Sequence, residues 1–115
     1  MSELSLVRRG ASGPKVASGT FTVTTTAFSL PLDFDADDII VFYRGDGTAM
    51  TAQIVAVRYI KSESYLKPLL VNQWKNISNI SGLSLSYANN TLSGNYTGSG
   101  NYFQAGTWNY IAYKK

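Results

Sequence analysis

The chain has 115 residues and a mass of 12.6 kDa, enough for one hydrophobic core and too little for two. It is 44% hydrophobic and 15% charged with a net charge of +3, a globular balance that excludes a disordered acidic or basic tail. With no Cys and no His it has no disulfides, thiolate nucleophiles, imidazole bases or Ser-His triads and no zinc site built on nitrogen or sulfur, so only carboxylates, lysines and hydroxyls remain for chemistry.

Residues 1–18 lie outside any strand pattern. Ser12, Gly13, Pro14, Ser18 and Gly19 make a flexible connector, and ahead of it Leu4, Leu6 and Val7 form a small apolar patch beside Arg8 and Arg9. A segment of this composition cannot fold alone, so it is expected either to pack back on its own domain or to reach a neighbour, and these five residues are the candidate assembly arm. Removal of residues 1 to 15 is expected to weaken a homo-oligomer and to leave the rest folded. The segment has no apolar run of signal-peptide length, and no later stretch is long enough to cross a bilayer. The expectation is a soluble protein made in the cytoplasm, without membrane insertion.

A single β-domain is expected over residues 19–115. Ten Thr, eight Tyr and five Phe favour strands, and with only two Glu a major helix former is missing. Phe21 and Val23 alternate with threonines as a half-buried strand requires. Phe28, Leu30, Leu32 and Phe34 repeat at period two and predict a second strand, placed at an edge because Pro31 has no N–H to donate. The continuous apolar run Ile39-Ile40-Val41-Phe42-Tyr43 predicts a central strand buried on both faces. Gly45-Asp46-Gly47 supplies a tight turn, and residues 53 to 60 then pair back as a hairpin. Tyr65, Leu66, Leu69, Leu70 and Trp74 have roughly helical spacing but Pro68 interrupts them, so residues 62 to 74 read as a long loop with at most one helical turn.

After Gly82 a meander follows. Leu83 and Leu85 alternate with serines, Ala88-Asn89-Asn90 reads as a turn, and Leu92, Gly94 and Tyr96 continue the return strand. Residues 107 to 113 form the last strand. About seven short strands with turns between them predict an all-β fold, an antiparallel β-sandwich or squat barrel. Its expected core is Phe21, Val23, Phe28, Leu30, Leu32, Phe34, Ile40, Phe42, Ile54, Ala56, Leu83, Leu85, Trp108 and Tyr110.

Three stretches, Val16 to Val23, Leu32 to Tyr43 and Gly106 to Tyr113, resemble in their order a small β-domain of tailed-bacteriophage and prophage virion proteins. The marks are a Gly-Thr-Phe opening strand, a Leu-x-Phe corner leading into Ile-Ile-Val, and a closing strand with aromatic residues around Ile-Ala. The corner carries Ala36 where that pattern often has Pro, and residues 61 to 80 match no part of it. These are packing motifs without chemistry. The resemblance implies a non-enzymatic structural protein of a tail, baseplate or head appendage. Such a protein is made in the bacterial host cytoplasm, incorporated into the virion, and acts by self-association and docking on other virion proteins.

The second half of the chain suggests a different reading. All eight Asn lie between Asn72 and Asn109, interleaved with Tyr and Trp, as on surfaces that stack on sugars and read their polar edges. Tyr65, Trp74, Tyr87, Asn89, Asn90, Tyr96, Asn101 and Tyr102 are the candidate ligand surface for a host cell-surface glycan. The bland alternative is that the tyrosines cover a sandwich core with their hydroxyls at the surface.

The remaining features carry less. Residues 61 to 115 hold five basic and one acidic side chain, but the lysines are scattered, so no nucleic-acid partner is expected. Arg44-Gly45-Asp46 spells an adhesion tripeptide that a hairpin turn explains equally. Asp33, Asp35 and Asp37 should point together toward solvent, and with Asp38 they lack the Gly and Glu of a known calcium loop, so no metal or other cofactor is expected. The best carboxylate pair for catalysis, Asp35 with Asp37, sits on a charged corner without a pocket, which makes an enzyme the weakest of the three readings.

Overall fold

The computed structural model describes residues 14–45, 54–70, 73–76, 80–98 and 102–115. They contain β1 (Lys15–Val23), β2 (Ala27–Pro31), β3 (Asp38–Tyr43), β4 (Ile54–Ile60), β5 (Tyr65–Leu70), β6 (Gln73–Trp74), β7 (Leu83–Ala88), β8 (Thr91–Tyr96) and β9 (Gly106–Lys114). The fold is the all-β antiparallel sandwich expected from the pattern. One sheet has the strand order β1-β9-β3-β4-β5-β6 and the other β2-β8-β7. The candidate arm residues Leu4, Leu6, Val7, Arg8 and Arg9 lie outside the described residues.

Local chemistry accounts for several of the joints. The two-residue link from β7 to β8 holds Asn89 and Asn90 at φ 53° and 59°, the left-handed pair of a type I′ hairpin that Asn tolerates. Thr24 turns β1 into β2 with its hydroxyl, which donates to the Ala27 carbonyl and accepts the Ala27 N–H. Pro31 ends β2, and β2 is an edge strand, as its missing N–H requires.

The described residues form nine strands where about seven are expected, and the second stops at Pro31, short of Leu32 and Phe34. Three further expectations differ from the structure. First, β1 starts at Lys15, so residues 15 to 18 belong to the sheet: Lys15 to Ser18 pair with Lys114 to Ile111 of the equally long β9. Second, residues 61 to 74 are a turn of 3-10 helix, Lys61–Glu63, followed by β5 and β6. Pro68 does not prevent this. Its carbonyl accepts from the Lys75 N–H on the side away from β4, so its missing N–H also faces away from β4 and costs the β4–β5 ladder nothing.

Third, the parity of β3 is the reverse of the expected one. Ile39 and Val41 are fully buried, while Ile40 and Phe42 are half-buried on the opposite face. Trp108 and Ala112 of β9 and Val57 of β4 line up with them across the inner face. A bulge between Ile54 and Ala56 lets both Ile54 and Val57 point inward. The inner face of the small sheet supplies Phe28, Leu30, Leu83 and Leu92. Trp108 sits at the centre, stacked on Phe28 with Phe21 at its edge, and its indole N–H donates to the Gln104 carbonyl at 2.7 Å. Phe103 packs edge-to-face on Phe28.

Candidate functional site

Directly paired residues in a sheet share a face, so the register of the large sheet lays out its outer surface row by row. One row runs Val16, Tyr113, Asp38, Ile60 and Tyr65. The next runs Ser18, Ile111, Ile40, Arg58 and Lys67, and a third Thr20, Asn109, Phe42, Ala56, Leu69 and Trp74. Val16 is 69% exposed, Ile111 47%, Tyr113 42% and Trp74 38%. Val16, Ile40, Ile111 and Tyr113, with Asp38 and Arg58 at the rim, line an open hollow of about 400 Å³. The outer face of the small sheet is different in kind, with Ser29, Ser84, Ser86, Thr91, Ser93 and Asn95 in its rows.

The acidic corner joins the end of this apolar face. Phe34 and Ala36 are buried and Asp33, Asp35 and Asp37 alternate with them outward, as the period requires. The carboxylates of Asp35, Asp37 and Asp38 are paired with cations and N–H donors. Lys61 Nζ lies 2.6 Å from Asp35 Oδ2 and 3.7 Å from Asp37 Oδ1. Arg58 donates from Nε and from Nη2 to the two oxygens of Asp38, each at 2.9 Å. Asp37 Oδ2 accepts the Lys115 backbone N–H. The Lys61 ammonium and the Tyr87 hydroxyl hold the Asp35 carboxyl below its ordinary value of 3.8, and Asp35 holds the Lys61 ammonium above its ordinary 10.5. No group of three metal-ligating side chains occurs among the described residues.

The candidate ligand residues are not brought together. Tyr65 and Trp74 share the outer face of the large sheet, Tyr65 with the Lys67 ammonium 4.9 Å from its ring. Tyr87 is on the inner side of β7, stacked on Tyr59 at 4.5 Å, its hydroxyl accepting the Ala36 N–H and donating to Asp35. Burial pushes its phenol above the ordinary range. Tyr96 and Tyr102 stack on each other at 4.3 Å and close the other end of the core. Asn89 and Asn90 are consumed by the hairpin turn, and Asn101 and Asp46 lie outside the described residues.

The residues that build the apolar face, Ile40, Ile111 and Tyr113, were not candidates from the sequence. A charged residue inside a strand was the available signal: Arg58 between Val57 and Tyr59 marks the outward parity of β4, and through the register that of Ile40. Comparison of the chain with family models, with curated proteins and with solved structures finds no match to any of them.

Proposed function

We propose that the chain is a non-enzymatic structural protein of a tailed-phage or prophage virion, a unit of a tail, baseplate or head appendage that works by self-association and docking. The observation that carries this reading is the open apolar outer face of the six-stranded sheet. Ile111 and Val16, 47% and 69% exposed, can still gain roughly half to two-thirds of the ~1.5–3 kcal/mol that full burial of such a side chain is worth, before the cost of ordering the interface. The likeness of three stretches to virion β-domains supplies the setting. The state of the carboxylates agrees with a role without catalysis, because Asp35, Asp37 and Asp38 are engaged as ion-pair acceptors.

Docking is favoured over recognition of a host glycan because Tyr87, Tyr96 and Tyr102 are spent on covering the core. The test is the composition of particles sedimented from a lysate of the phage, or of the induced prophage, that carries the gene. Quantitative mass spectrometry should find the chain in several copies per particle. A chain that stays wholly in the soluble fraction overturns the reading.

A further inference from the structure

The large sheet ends on one side in β6, two residues long, and on the other in β1, nine residues long and without a proline. The edges of the small sheet are better protected: β2 ends in Pro31, and β7 packs against β5. The ladder itself says which backbone groups β1 turns outward. On β9 the carbonyls of Thr107 and Tyr113 accept from Arg44 and Asp37, on the β3 side. Backbone polar groups alternate sides along a strand, so Trp108, Tyr110 and Ala112 face β1, and their partners Phe21, Gly19 and Ala17 are the β1 residues bonded to β9. The N–H and C=O of Val16, Ser18 and Thr20 therefore point away from the sheet, and among the described residues no hydrogen bond reaches them.

We infer that β1 pairs antiparallel with β1 of a second copy across a twofold axis, joining the two large sheets into one continuous sheet. The inference deepens the self-association proposed above and rests on that reading. Three features of the strand point to its own copy as the occupant. Centred on Ser18, the pairing sets Ser18 against Ser18 and Val16 against Thr20 of the second copy, so each outward N–H and C=O finds its complement. The same register places Lys15 opposite Phe21 and Ala17 opposite Gly19, which keeps like charges apart and bulky groups off the axis. It also extends the outer row of Ser18, Ile111 and Ile40, which otherwise stops at the edge, into the matching row of the partner.

The experiment is light scattering on the full chain over a concentration series, with hydrogen exchange on the same samples. A dimer or an even-numbered assembly should appear at tens of micromolar, with the amides of Val16, Ser18 and Thr20 becoming protected as it forms. Ser18→Pro removes an N–H that the β1–β9 ladder does not use, so it should weaken association about tenfold or more with an unchanged far-ultraviolet spectrum, while Ser18→Ala leaves association intact. Should Ser18→Pro fail to fold, exchange on the parent chain decides: those three amides exchanging freely in an assembled sample overturn the pairing. A full chain that stays monomeric also overturns it. So does association that appears only after residues 1–13 are removed, which would mean that the chain covers its own edge. Presence of the chain in virions is read separately, so failure of the pairing and failure of the virion reading are distinguishable.

Discussion

The outer faces of the two sheets belong to one sandwich and share one core, yet they are opposite in character. Across the large sheet the rows read Val16, Tyr113, Ile40 and Ile111, with Arg58 paired to Asp38 at their margin. Across the small sheet they read Ser29, Ser93 and Ser86, the last two with hydroxyls 3.1 Å apart. A two-layer domain needs only its inner faces to be apolar, and the small sheet keeps to that solution, with Ser29, Ser84, Ser86, Thr91, Ser93 and Asn95 outward beside the small or cyclic Ala27, Pro31 and Ala88. The large sheet departs from that solution along three adjacent strands at once. An apolar face that stability of the single domain does not require is the surface that the proposed docking would use.

The largest expected effect comes from the core that both sheets share. Trp108→Ala should cost about 3–5 kcal/mol, read from the denaturant midpoint, because the side chain is fully buried and its indole bonds the Gln104 carbonyl. A loss of under about 1 kcal/mol would mean that the two sheets are not joined through this residue. Gly94→Ala comes next. A methyl group there would lie 2.5 Å from Phe28 Cε1 and 2.8 Å from Leu85 Cδ2, and forcing them apart should cost about 1–3 kcal/mol. Its neighbour Ser93, directed outward, should accept Ala within about 0.5 kcal/mol, so the ratio of the two tests the assignment of faces on β8.

The difference between the outer faces also explains what the sequence could and could not tell. Strands with one polar side were legible: Leu83 and Leu85 against serines, Phe28 and Leu30 against Ser29 and Pro31, and the Asn89-Asn90 turn between β7 and β8. In β3 both sides are apolar, so Ile39 through Tyr43 announces a central strand without saying which residues point inward. The expected core took Ile40 and Phe42, and the structure buries Ile39 and Val41. Arg58 fixes the parity of β4 near its centre, but the bulge before Ala56 reverses it toward Ile54, and a bulge leaves no mark in the alternation. Helical spacing in residues 65 to 74 misled for another reason. Leu66, Pro68 and Leu70 face inward at period two, and Tyr65 and Leu69 belong to the outer face, so two strand faces interleave into a helix-like pattern.

A smaller effect is expected on the outer faces themselves. Ile111→Thr should change the folding stability of the isolated domain by under about 1 kcal/mol, since nearly half of the side chain already meets water. The same change should weaken self-association measurably by light scattering. Ser86→Thr on the small sheet should alter neither quantity. Equal loss of association from both would erase the distinction between the faces.

The smallest effect lies at the acidic corner and shows itself through pH. The folded pKa of Asp35 lies below its ordinary value of 3.8, so the stability that this carboxylate contributes is complete above that value and is lost as pH falls through the folded pKa. Lys61 runs the other way: held above 10.5, its contribution is complete below that value and fades as pH rises through the folded pKa. Between about pH 4 and pH 10 the pair should therefore give a flat stabilising contribution. With side chains 56% and 40% exposed, solvent and salt screen it heavily. Asp35→Asn should accordingly lower the melting temperature by a small amount at neutral pH in low salt, by less in high salt, and by least in acid below the folded pKa, where the parent carboxylate is itself protonated. The hydrogen bond from Tyr87 sharpens the test, since an Asn oxygen can still accept it and only the charge is removed. A melting difference that persists undiminished in acid and in high salt would show that Asp35 acts on packing beneath Tyr87 and not as the partner of Lys61.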